Sequence, residues 1–358
     1  MPPLITVSSD ALSLFVATGR PRQTTSPSVG LQPASFRTFD GQINRKSEQP
    51  RRELEGVTVE RDPIEIPGVR PWRVRGGALL EVVAAFAVVH VAYRSFRAFT
   101  PLGRLEAQRG WVFSFGVIAV TVGLLAILLP PGGRPRGERL RASGLIGFDL
   151  WSGLRCGLFF LFGAIAVGAT LQGVATLPSP RTSSLAQGAI IGALGLATTM
   201  ALLAWSRGSV GLRWLPRPAV ALLTLFIFSV PLIWSAQNHE DLSVAATTMA
   251  WRSLVAGFGE EIFFRGYIQS RLNRAWGRPW KLFRVPFGPG LIFTAILFAF
   301  VHALNTVDYF HGSYHFSWGH ALSTLTLAYG FLREKTGSVL APAVLHGGMN
   351  ALGTIAWA

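Results

Sequence analysis

Of the 358 residues, 50% are apolar and only 14% charged, with a net charge of +15 and a mean hydropathy of +0.39. That balance is too apolar for a soluble domain of this length and places the chain among multi-span helical membrane proteins. The single cysteine, Cys156, excludes a disulfide framework and a cysteine-rich metal site. The arginines fall in a polar tail and in short loops between apolar runs, which reads as membrane topology rather than nucleic-acid binding.

Residues 1–74 form a polar tail rich in Ser, Pro, Thr and Arg, with too little to bury for a fold of its own, so disorder is expected there. Apolar spans are predicted near 77–93, 111–129, 156–176, 185–205, 217–234, 244–268, 290–305, 317–332 and 338–357. The predicted fold is thus all-α, a polytopic bundle of about 8–9 spans. It divides into N-terminal transmembrane helices over 75–235 and a C-terminal core over 236–358. Glu81 and His90 lie inside the first span and are read as facing neighbouring helices or the interface. Gly188, Gly192 and Gly195 permit close helix packing. The acid-free run Arg271, Arg274, Arg278, Lys281, Arg284 marks a cytoplasmic loop, and the acidic Glu240-Asp241 the opposite side. Pro279, Pro286 and Pro289 with the aromatic residues between them suggest a surface helix or a re-entrant turn in the interface.

Polar groups cluster in the last third, where apolar ones would be cheaper. Glu260-Glu261-x-x-x-Arg265 comes first. On a helix, Glu261 and Arg265 share a face and can pair, and Glu260, rotated by about 100°, faces something else. Phe298 and His302 follow at a spacing of four, then His346 and Asn350 at the same spacing. A loop with His311 and His315, and His320 beyond it, reads as exposed rather than metal-binding. A carboxylate beside a histidine can hold and deprotonate a water, and a second histidine with an amide can stabilise an oxyanion. Those functions together fit amide hydrolysis. No Ser or Cys stands beside a base, so direct attack by water is favoured over an acyl-enzyme.

EExxxR, then FxxxH, then HxxxN on successive apolar helices resembles the CAAX protease and bacteriocin-processing family of intramembrane glutamic endopeptidases. Gly337-Ser338-Val339-Leu340-Ala341-Pro342 adds to the likeness, which covers about residues 240–358. The resemblance implies catalytic roles for Glu260, His302, His346 and Asn350, with Glu261, Arg265 and Phe298 in support. Glu260 would be the general base, His302 would help hold the water, and His346 and Asn350 would bind the oxyanion. It implies no cofactor and no metal. The partners would be a membrane-associated protein or peptide substrate and the lipid bilayer, with no nucleic acid, and the location the cell membrane with a cytoplasmic N-terminal tail. Eukaryotic members of the family remove the tail of prenylated proteins. The alternatives are a zinc hydrolase using His302, His346 and a glutamate, although HExxH is absent; a non-catalytic scaffold or immunity-type protein of the same fold; and a proton-relaying transporter, although no paired inverted halves are visible.

Overall fold

The computed structural model describes residues 71–108, 113–129, 135–174, 184–206, 211–238, 241–310, 312 and 314–356, all within the unit Asp62–Ala358. The predicted polar tail falls almost wholly outside these residues, as do His311 and Ser313.

The described chain is a helical bundle with one small hairpin. Helices α1 (Trp72–Phe99), α2 (Pro101–Gln108), α3 (Phe113–Leu128), α4 (Arg136–Ala142), α5 (Leu150–Val174), α6 (Leu185–Trp205) and α7 (Arg217–Gln237) come first. The segment after them starts as α8 (Leu242–Met249). It continues through two π-wound stretches, Ala250–Glu260 and Ile262–Gln269, and ends as α9 (Ser270–Trp276). Strands β1 (Trp280–Leu282) and β2 (Val285–Phe287) precede α10 (Pro289–Ala303), a 3-10 turn Leu304–Thr306, α11 (Trp318–Thr324), α12 (Ala328–Thr336) and α13 (Leu340–Ala356). Among the described residues, five helices are long and apolar enough to cross a membrane: Trp72–Phe99, Leu150–Gly168, Leu185–Trp205, Arg217–Gln237 and Pro289–Thr306.

Local chemistry sets the boundaries. A capping box between Ser184 and Gln187 opens α6, and Pro289 occupies the first turn of α10, where its missing N–H costs nothing. Gly337, with φ +70°, ends α12 in the left-handed conformation. Ser338 Oγ then accepts the Leu340 N–H at 2.9 Å and starts α13.

Two expectations are corrected. The surface helix or re-entrant turn expected at 279–289 is an antiparallel hairpin, with Leu282 opposite Val285. Phe283 and Arg284 at its tip have φ +47° and +71°, the two consecutive left-handed residues of a type I′ turn, here without glycine. Leu282, Phe283 and Phe287 pack onto the core, and that burial offsets the strain. The span expected at 317–332 is broken into α11 and α12. Threonines at 324 and 326 compete with helical bonding through their hydroxyls, which bond the His320 carbonyl at 2.9 Å and the Ala328 N–H at 3.2 Å.

Polar contacts mark two ends of the bundle. At one, Glu81 accepts from Tyr267 Oη at 3.0 Å and from Arg271 Nη2 at 2.8 Å. There Glu334 also accepts from Gln269 and Asn273, both at 2.6 Å, and from Arg278 at 2.5 Å. Arg333 reaches the Ala142 carbonyl at 2.9 Å at the same end. At the other end Arg94 donates to the Leu304 carbonyl, and His90 Nε2 meets Tyr309 Oη at 3.2 Å. Glu81 and His90 therefore do face neighbouring elements. One core joins α1, α3, α9 and α10 to the second π-wound stretch; another joins α5, α6, α7, α12 and α13 to the hairpin. Tyr329 packs against both.

Glycines let the segment 242–276 touch its neighbours at backbone distance. A Cβ on Gly257 would lie 2.6 Å from Gly347 Cα, and one on Gly116 2.8 Å from the Val255 carbonyl oxygen. Gly257→Ala is therefore expected to cost about 1–3 kcal/mol and lower the thermal midpoint in detergent. Gly195→Ala, where an added Cβ meets nothing within 4 Å, leaves that midpoint unchanged or higher. Equal midpoints for the two variants would refute the close contact.

Candidate active site

Glu261 is fully buried at the junction of the two π-wound stretches. Its Oε1 accepts from Arg265 Nη1 at 3.2 Å and from His346 Nδ1 at 3.0 Å. Burying a carboxylate demands such partners, because its desolvation is offset only by close opposite charge and hydrogen bonds. Arg265 is 1% exposed, and its guanidinium is wrapped in rings: Cζ lies 4.5 Å from the Phe298 centroid, 5.0 Å from Tyr329 and 5.7 Å from Phe264.

Glu260 is 7% exposed. Among the described residues its carboxylate has no hydrogen-bond or ion-pair partner, while its nearest charges are His346, Glu261 and Arg265. The sequence suggested that the two glutamates face apart. In a π-wound segment each residue turns through less than the α-helical 100°, so neighbours diverge less; Glu261 bonds His346, and Glu260 feels its charge.

His302 closes the last turn of α10, half-buried. Its Nδ1–H donates to the Phe298 carbonyl at 2.7 Å, which leaves Nε2 with a lone pair. His346 is on α13, and because a carboxylate only accepts, its Nδ1 carries the hydrogen bonded to Glu261. The Phe298 ring stands between the two histidines, 4.8 Å from the ring of His302 and 5.5 Å from that of His346. Three of the residues singled out in the sequence, Arg265, His302 and His346, thus surround Phe298 and Glu261. Asn350 lies one turn beyond His346, half-buried. Among the described residues no hydrogen bond joins Glu260 to either histidine, and no three His, Cys, Asp or Glu side chains are grouped as metal ligands. His315 is exposed.

Two residues of the site went unrecognised or unassigned in the sequence. Tyr329 places its ring 5.2 Å from that of His346 and covers Arg265. His320, on α11, has its ring 4.8 Å from that of His302 at 84°. The signal for Tyr329 was the polar–apolar alternation Thr324-Leu325-Thr326-Leu327 before it, a period that no helix keeps.

Arg265→Ala leaves the Glu261 charge buried with only His346, a loss of about 3–5 kcal/mol. Little folded protein is expected from it in detergent. Arg265→Met combined with Glu261→Gln removes both charges and restores the yield; a double variant no better than Arg265→Ala would show that the pair is not the cause.

No curated protein and no solved structure matches the chain. One family model does, described as Rce1-like, type II CAAX prenyl endopeptidase Rce1-like, and it matches residues 242–352. That segment runs from the start of α8 into the last turns of α13 and contains all seven of the catalytic and supporting residues named from the sequence. Residues 242–352 of the chain are thus similar to the Rce1-like family.

Proposed function

We propose that this protein is an intramembrane endopeptidase that hydrolyses a peptide bond of a membrane-associated protein or peptide with activated water. One observation carries the reading: Glu261 holds two partners, and Glu260 beside it, also buried, holds none among the described residues. A buried carboxylate without a partner is costly unless it has a task. The task proposed is that of general base.

In this mechanism a water lies between the Glu260 carboxylate and the lone pair of His302 Nε2. Glu260 takes one proton as the water oxygen bonds to the scissile carbonyl carbon. The carbonyl oxygen becomes an oxyanion, which accepts from Asn350 Nδ2 and from His346. With Nδ1–H committed to Glu261, His346 offers a donor at Nε2 as the imidazolium, whose counter-charge is Glu261. The intermediate collapses, the C–N bond breaks, and the proton on Glu260 passes to the leaving amine. Arg265, Glu261 and Phe298 fix the frame.

The substrate class follows the family description: the C-terminal tail of a protein bearing a prenylated cysteine. The basic end with Arg271, Arg274, Arg278, Lys281 and Arg284 is assigned to the cytoplasm. The tail 1–74 is assigned to the cytoplasm as well, a reading supported by the Glu81–Arg271 pair that ties α1 to that end. The chain is read as crossing the cell membrane about 8–9 times, with 75–235 as supporting helices and 236–358 as the catalytic core.

Glu260→Gln and His302→Ala are each expected to lower kcat at least about 100-fold with the melting temperature kept. The readout is cleavage of a quenched-fluorescent peptide ending in a prenylated CAAX box by purified protein in detergent. Normal turnover by Glu260→Gln would overturn the mechanism. Exhaustive chelation is expected to leave the wild-type rate unchanged, and loss of activity restored by zinc would favour the metal-dependent alternative.

A further inference from the structure

Between α11 and α12 a stretch of backbone leaves the helix in the middle of the bundle. α11 starts near Thr306 and Ser317 at one end, and α12 finishes at Glu334 and Arg278 at the other. Leu325 has φ −70° and ψ 67°, and Thr326 N–H folds back to the Thr324 carbonyl at 2.7 Å, the geometry of an inverse γ-turn. The carbonyls of Leu325 and Thr326 and the N–H of Leu327 have no hydrogen-bond partner among the described residues. Residues 322–327 are all half-buried, so protein does not seal them. Unpaired backbone groups cannot face hydrocarbon, where each costs several kcal/mol; at that depth they are tolerated where they line a cavity that holds water.

The break also touches the site from both sides. His320, one turn before it, meets His302, and Tyr329, just after it, meets His346. A peptide bond inside a helix is shielded by its own turn, so a substrate must be extended to be attacked. Its freed N–H and C=O groups then need partners inside the membrane.

We propose that Thr324–Leu327 is the substrate-binding edge of the enzyme: the carbonyls of Leu325 and Thr326 accept N–H groups of an extended substrate backbone, and the Leu327 N–H donates to a substrate carbonyl. This rests on the peptidase reading above and deepens it. Recognition here is by main chain and independent of substrate side chains.

Leu327→Pro removes the N–H at a residue whose φ of −85° is close to the proline range. Leu327→Ala keeps the N–H and loses more packing. With the prenylated peptide as probe, Leu327→Pro is expected to lower kcat/KM about tenfold or more, with the loss in KM, and Leu327→Ala much less. Independently of any variant's folding, probe peptides N-methylated at single amides flanking the scissile bond should show at least one position with a similar rise in KM on wild-type protein. Equal kcat/KM for the two Leu327 variants, or no penalty from any N-methyl group, overturns the pairing, while turnover of the parent peptide keeps the peptidase reading. A wild-type protein that turns over no parent peptide overturns both.

Discussion

A single carboxylate oxygen, Glu261 Oε1, holds the candidate site together. It receives a guanidinium from its own segment and an imidazole from α13, 85 residues later in sequence. Neither partner has another ion-pair partner among the described residues, and all three side chains are shielded from water. At such depth the attraction between opposite charges is several-fold stronger than at a surface. A missing member leaves an uncompensated charge instead of a mere gap. The cluster therefore fixes the relative position of two elements that the chain itself connects only through α9, the hairpin, α10, α11 and α12.

Aromatic packing does the rest. Phe298 touches the rings of both histidines and the face of Arg265, so one side chain of α10 indexes α13 and the π-wound segment at once. Tyr329 does the same from α12 and spans the seam between the two apolar cores. The site thus occupies a boundary between two packed halves. The loose winding of 250–269 suits that place: it turns successive residues through a smaller angle than an α-helix does, so Glu260 and Glu261 diverge less.

Much of this could be read from the residues. Apolar runs located most of the long helices; for Leu185–Trp205 the two ends coincide, while Trp72–Phe99 and Leu150–Val174 start before the expected positions 77 and 156. The spacing of four gave the Glu261–Arg265 pair and the shared faces of Phe298 with His302 and His346 with Asn350. What escaped were features that depend on partners distant in sequence or on departures from standard geometry. The π winding leaves no trace in an apolar pattern of so few turns. The hairpin at 280–287 uses Phe283 and Arg284 where a turn of its type calls for Asn or Gly, so its local chemistry argued against it; burial decided otherwise. The pairing of His346 with Glu261 rather than Glu260 follows from the facing of two helices, which spacing within either one cannot give.

The glycines have a mechanical corollary. On one flank the segment carrying the glutamates is in main-chain contact with α3 through Gly116 and Gly259, and on another with α13 through Gly257 and Gly347. α13 in turn presses its backbone on α5 at Gly157. Four elements thereby meet at points of main-chain contact, where there is little side chain to yield. On the opposite flank α10, α11 and α12 meet the histidines through side chains and an unwound turn instead.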